Sequence, residues 1–131
     1  MLSKKEYDEI TSAIIGAAIE VHKELGPGLL ESVYEVFLQR ILIKKGLSVK
    51  RQVQLPINFQ GELLEKDFFI DMIVEDEIII ELKSIDALLP IHEAQLLTYL
   101  KLSGKQVGLL INFNVVLLKD GIKRRVMGYI E

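Results

Sequence analysis

The segment from Asp71 to Lys83, DMIVEDEIIIELK, constrains the fold of this chain more than any other. Two apolar, β-branched runs, Phe68–Val74 and Ile78–Leu82, flank an acidic turn. Both have the composition of strands. Charges inside such strands are costly unless they are paired or hold a metal. Side chains alternate along a strand, so Glu81 and Lys83 share a face. If the turn is Glu75-Asp76-Glu77, Val74 pairs with Ile78, and counting outward sets Asp71 opposite Glu81. Opposed residues share a face. A turn of even length would move Glu81 to the other side. The odd turn predicts two carboxylates and one ammonium on one side of a sheet, a donor set suited to a divalent cation with a lysine beside it.

The rest of the chain supports one domain around this hairpin. Its 131 residues, half of them hydrophobic, suffice for a core within a single domain spanning 1–131. It has no cysteine, which excludes disulfides and thiolate metal sites. No apolar run approaches the ~20 residues needed to cross a bilayer. The opening MLSKKEYDEI has no secretory h-region, so a cytoplasmic location without membrane association is expected. The net charge of −3 argues mildly against tight non-specific nucleic-acid binding. Its cations are nevertheless clustered, at Lys44, Lys45, Lys50 and Arg51 and at Lys119, Lys123, Arg124 and Arg125. Each cluster reads either as solvated surface or as a contact for phosphates.

Ser3-Lys4-Lys5-Glu6 has the form of a capping box. Apolar residues at helical spacing then predict a helix from Lys4 to about Glu24, broken by Gly26-Pro27-Gly28. A second helix is expected from Leu30 to Lys45, stopped by Gly46. Alternation over Val49–Phe59 puts Val53, Leu55, Ile57 and Phe59 on one side of a strand, and Gln60-Gly61 reads as a turn. Strands over Glu62–Val74 and Glu77–Lys83 complete a three-stranded antiparallel meander. The last two are apolar on both faces, so both faces should be covered. Pro90 suits the first turn of a helix ending near Ser103. Val107–Phe113 is a buried strand, and Val115–Leu118 and Ile122–Tyr129 read as a hairpin about Asp120-Gly121. The order α-α-β-β-β-α-β-β-β predicts an α/β sandwich, a mixed β-sheet flanked by helices.

Several side chains are candidates for chemistry. Asp71 and Glu81 suit a hard cation such as Mg²⁺, with the Leu82 carbonyl as a further oxygen ligand. Lys83 would offset charge developing on a phosphate. The competing reading is a structural ion-pair network closing a strand end. Glu31 and Tyr34 are three apart on one helical face. Glu31 is either a third carboxylate for the metal, direct or through water, or simply a helix N-terminal acid. Gln95 and Tyr99 are four apart and could orient Lys83 or a phosphate, or else form a polar helix edge. His92 and His22 carry little functional weight, and two histidines cannot make a histidine-rich zinc site. There is no Gly-rich phosphate loop and no nucleophile elbow.

The stretches GPGLLESVYE, IDMIVEDEIIIELKS, IHEAQLLTYLKLSG and GLLINFNVVLLKDGIKRRV, in that order, closely resemble the bacterial and archaeal GxxExxY family. That family is placed among the PD-(D/E)XK nuclease-like proteins. The resemblance runs from about Ile14 onward and implies a restriction-endonuclease-like core. Carried over residue by residue, it makes Glu31 the helix glutamate, with Gly28 and Tyr34 around it. It makes Asp71 the metal-binding aspartate, Glu81 the second acid and Lys83 the lysine, and it matches Gln95 and Tyr99 to a Q-x-x-x-Y pattern. Ile70 stands where the literal motif has proline. The activity implied is Mg²⁺- or Mn²⁺-dependent hydrolysis of nucleic acid, most simply DNA, with Asp71, Glu81, Lys83, Gln95 and Tyr99 at the reacting centre. A homodimer or a partner protein would enlarge the small surface. Two alternatives stand beside it: a catalytically silent binding or assembly module on the same fold, and a hydrolase of some other phosphoester.

Overall fold

Ser3 starts the first helix as its spacing requires. Its hydroxyl accepts the Glu6 N–H at 3.1 Å, and the Glu6 carboxylate accepts the Ser3 N–H at 3.1 Å. A computed structural model describes residues 2–65, 68–128 and 130. In order it holds α1 (Lys4–Leu25), α2 (Glu31–Lys44), β1 (Val49–Gln54), β2 (Ile57–Phe59), β3 (Glu62–Leu64), β4 (Phe69–Val74) and β5 (Ile78–Lys83). There follow α3 (Pro90–Ser103), β6 (Val107–Asn112), a 3₁₀ turn (Leu118–Gly121) and β7 (Ile122–Val126).

Five strands form one sheet in the order β1-β4-β5-β6-β7. Only β5 and β6 run parallel, with α3 as their crossover, and the other neighbours are antiparallel. This mixed α/β sheet with helices on both faces is the expected class. Helices α1 and α2 cover one face, where Ile14, Leu38 and Leu42 pack on Met72, Ile80, Leu109 and Phe113. The single helix α3 covers the other, where Leu96 and Leu100 pack on Ile73, Ile79 and Leu110. Two covered faces explain why β5 and β6 read as unbroken apolar runs. Gly108 on β6 lets α3 approach: a Cβ there would meet Leu96 Cδ1 at 2.7 Å. Among the described residues no helix is long and apolar enough to cross a membrane.

Two expectations about strands need correction. The run Val49–Phe59 is not one strand, because Pro56 has no N–H to give to a ladder. The Leu55 N–H instead donates to the Phe68 carbonyl at 2.8 Å. Beyond that bond β2 and β3 form a separate two-stranded hairpin about Gln60-Gly61, both with left-handed φ (52° and 87°). The expected strand Glu62–Val74 is divided correspondingly into β3 and β4, and residues 66 and 67 within it lie outside the described residues. Nor is there a hairpin about Asp120-Gly121. Gly121 lies in the 3₁₀ turn with its Cα against the Asn112 carbonyl, where a Cβ would meet that oxygen at 2.2 Å. Residues 113–121 form an excursion, and β7 pairs directly with β6. Tyr129, the expected end of that hairpin, lies outside the described residues.

Candidate functional site

The turn between β4 and β5 is Glu75-Asp76-Glu77, with Glu75 and Asp76 both left-handed (φ 54° and 55°). The ladder runs Val74↔Ile78, Ile73↔Ile79, Met72↔Ile80. The odd-length register required for convergence is therefore the one found, and the next step outward brings Asp71 level with Glu81. The ladder itself stops there. Asp71 reaches across with its side chain instead, and its Oδ2 accepts the Leu82 N–H at 2.8 Å.

The cause lies on the neighbouring strand. Gln52 has a φ of 50°, a left-handed conformation that a strand residue cannot hold while it pairs. The β1–β4 register passes from Arg51↔Met72 to Val53↔Ile70 and omits the Gln52–Asp71 position. The faces of both strands reverse at this point. Val49 packs toward α1 and α2 but Val53 toward α3; Met72 and Ile70 divide in the same way. The sheet opens here, and the Asp71 carboxylate projects into the opening.

Glu81 is 6% exposed. Burial, and then the hydrogen bond and charge of the adjacent Asp71 carboxyl, push its pKa up to about 10. The Lys83 ammonium pulls it the other way and loses. Glu81 Oε1 is buried with no hydrogen-bond partner. Two carboxyls this close share a proton unless a cation replaces it. The donor set therefore fits a hard divalent ion: two carboxylates, one of them with an oxygen still unsatisfied. The Leu82 N–H points toward β4, and a residue's N–H and C=O leave a strand on the same side, so its carbonyl faces the opening as well.

Lys83 follows Glu81 on the α3 side. Its carbonyl is tied to β6 through the Phe113 N–H at 2.9 Å. Among the described residues no carboxylate lies within ion-pair distance of its ammonium. On α3, Gln95 Nε2 donates to Tyr99 Oη at 3.0 Å. Burial raises the Tyr99 pKa, and the charges of Glu81 and Asp71 raise it further.

The sequence model of the PD-(D/E)XK nuclease superfamily matches residues 8–125. The chain belongs to this superfamily. The spelling of its name follows the opening in the sheet: Asp71, then Glu81-Leu82-Lys83, with Ile70 in place of the proline. A solved structure described as the crystal structure of SSO0001 is similar at 22% identity with a TM-score of 0.50. The match covers 77% of this chain and 51% of that one, so the chain spans about half its length. At that identity the likeness is one of fold. No curated protein matches.

Glu31 opens α2 at the same end of the sheet, where Ser84 Oγ donates to the Leu29 carbonyl at 2.6 Å, but its side chain is exposed. Among the described residues no three His, Cys, Asp or Glu side chains gather at metal-binding distance. Tyr34 is buried and holds the loop before α2. Its hydroxyl donates to the Gly26 carbonyl at 2.6 Å and accepts the Leu29 N–H at 3.1 Å, and its ring stacks on Phe113. The histidines are bonded to backbone: His22 Nε2 donates to the Val115 carbonyl, and His92 Nδ1 accepts the Leu89 N–H.

Sequence reasoning missed Glu35 and Gln52. Glu35 is buried and accepts from Arg51 Nε at 3.2 Å and Gln52 Nε2 at 2.8 Å. The same Gln52 nitrogen lies 3.5 Å from Asp71 Oδ1. A chain of contacts thus runs from α2 to the Asp71 carboxylate. The available signal was an acid on the apolar face of α2, between Tyr34 and Leu38. Nothing local announced the φ of Gln52. The basic clusters are partly spent on internal pairs: Arg51 with Glu35, Arg124 with Asp8 at 3.1 Å, and Arg125 with Glu93.

Proposed function

We infer that the chain is a Mg²⁺- or Mn²⁺-dependent phosphodiesterase acting on nucleic acid, DNA first, in the GxxExxY branch of the superfamily and in a cytoplasmic setting. The observation that carries this reading is the unpartnered, buried Glu81 Oε1 beside Asp71, two residues before Lys83 on the same strand. Asp71, Glu81 and the Leu82 carbonyl would hold the ion, with Glu31 reaching it through water. A divalent ion there supplies a polarised phosphoryl oxygen and an acidified water. Lys83 offsets charge on the phosphate as it develops and orients the attacking water. Gln95 holds the Tyr99 hydroxyl so that its proton is directed away from that bond and toward an oxygen of the phosphate.

Mn²⁺ calorimetry on the wild type, Asp71→Ala and Glu81→Ala tests the reading directly. Binding lost in both variants is expected, together with Mn²⁺-dependent cleavage that Lys83→Ala removes. A wild type with no carboxylate-dependent binding would overturn it. The second reading, a silent module for binding or assembly, is favoured by one observation: Arg51, Arg124 and Arg125 are occupied internally rather than offered to phosphate. It predicts metal binding without turnover on any nucleic acid.

A further inference from the structure

Most of the large apolar side chains that remain exposed gather at the end of the sheet where Asp71, Glu81 and Lys83 lie. β5 and β6 end together at Lys83 and Asn112, and extending the ladders puts Phe69 of β4 and Gln54 of β1 at the same end. From this end spring the β2–β3 hairpin, the loop into α3, the loop into α2 and the 113–121 excursion. Val116 and Leu30 on two of these segments are 89% and 74% exposed.

The hairpin concentrates the aromatic part of this surface. The chain has five phenylalanines. Phe113 is buried, and Phe37 lies under the Arg40 guanidinium. The other three, Phe59, Phe68 and Phe69, are 71%, 41% and 47% exposed. All three lie in the segment that leads from β1 to Asp71. The hairpin has three residue pairs, and no element of the main sheet packs extensively along it. A two-stranded ribbon of that size is marginal in water without something against it. Ile57 and Leu64 face each other across it, and Phe59 lies on their side with Glu62 as its cross-strand partner, so this face is apolar except for one carboxylate beside the turn.

Charge decides between occupants. Duplex is gripped chiefly through phosphates by cations. Here Arg51, Arg124 and Arg125 are paired, and Lys44, Lys45 and Lys50 lie at the far end of the sheet. Lys23 and Lys119 line a groove at the near end with Val116 and Leu117. Single-strand binders also hold the backbone with cations, but much of their affinity comes from bases stacking on aromatic side chains whatever their sequence, so exposed flat rings beside the few unpaired cations of the described residues suit unpaired nucleotides better than duplex. We propose that the β2–β3 hairpin and its base are a stacking platform, and that the substrate of the adjoining site is single-stranded or frayed nucleic acid. This rests on the phosphodiesterase reading above and narrows its substrate.

The test is fluorescence anisotropy in EDTA with a labelled 15-nucleotide single strand and the corresponding duplex. The wild type, Phe59→Ala, Phe69→Ala and Phe59→Tyr are compared after circular dichroism has verified their folds. The single strand should bind at least tenfold more tightly than the duplex. Each alanine should weaken it by about 5- to 100-fold while tyrosine, which keeps a ring, preserves it. Equal or tighter duplex binding, or alanine variants that bind like the wild type, would overturn the proposal. So would concentration-dependent self-association in sedimentation that the alanines abolish without single-strand binding, since the hairpin then serves a second copy. Mn²⁺ calorimetry on the same preparations separates the two claims. Carboxylate-dependent Mn²⁺ binding with cleavage of duplex alone overturns the platform and leaves the phosphodiesterase. No such Mn²⁺ binding overturns the phosphodiesterase and with it the substrate claim.

Discussion

The two ends of the β4–β5 hairpin carry the same kinds of residue and use them in opposite ways. At the turn every carboxylate is committed. Glu75 accepts the Ser48 N–H at 2.8 Å, Asp76 pairs with Lys105 at 3.4 Å, and Glu77 accepts the Tyr7 hydroxyl at 3.0 Å. At the open end Glu81 keeps an unpartnered oxygen, Lys83 has no ion-pair partner among the described residues, and apolar side chains stand in solvent. Satisfied charges hold a turn in place. Unsatisfied ones, kept together by a covered sheet, are a reservoir for chemistry, and they lower stability in the absence of a ligand.

Substitutions at the open end should therefore harm activity and spare the fold, and those at the turn should do the reverse. The largest effect is expected from Lys83→Met. Cleavage should fall by about 10²–10³-fold or more, with the urea midpoint unchanged or raised. An unfolded variant would mean that the open end is structural after all.

Glu81→Gln should come next, stabilising the metal-free protein by about 1–4 kcal/mol above neutral pH. The sign follows from linkage. The folded-state pKa of Glu81 lies near 10, above the 4.5 of the free side chain, so the folded chain holds a proton that the unfolded chain has released. Metal-free stability should fall as pH rises from about 4.5 to about 10, and the glutamine variant should flatten that slope. Thermal melts in EDTA across this range measure both. An unchanged slope would mean that Glu81 is already ionised.

Gln52→Ala should weaken Mn²⁺ binding by about 10–100-fold, because the partner that orients Asp71 is lost. Calorimetry reads this without recourse to turnover. The smallest effect belongs to the turn. Tyr7→Phe should cost about 1 kcal/mol in urea unfolding and leave cleavage untouched. Burial, followed by Glu77, raises the Tyr7 pKa to about 12, so the wild type should also lose stability as pH climbs from 10 toward 12, and the phenylalanine variant should not.

The helices were legible almost to the residue. The capping box at Ser3, Gly46 after Lys44, and Pro90 before Ile91 act within a few positions of themselves. The register of the β4–β5 ladder was legible for a similar reason: a three-residue turn sets the pairing of the strands it joins. Outside such local rules the reading weakened. Pro56 was available as a strand breaker, yet the alternation of Val53, Leu55, Ile57 and Phe59 suggested continuity. Asp120-Gly121 has hairpin composition, yet Gly121 is pressed against the Asn112 carbonyl by the return of the chain to β6.

Only the tertiary structure decided how the site is held open. The left-handed φ of Gln52, the reversal of faces on two strands, and the buried Glu35 that receives Gln52 and Arg51 join residues from α2, β1 and β4. It decided likewise that Arg51, Arg124 and Arg125 are paired with Glu35, Asp8 and Glu93. The periodicity and punctuation of a sequence carry what each segment prefers alone. Which side chains meet across segments depends on how the helices pack on the two faces, and no local pattern encodes that.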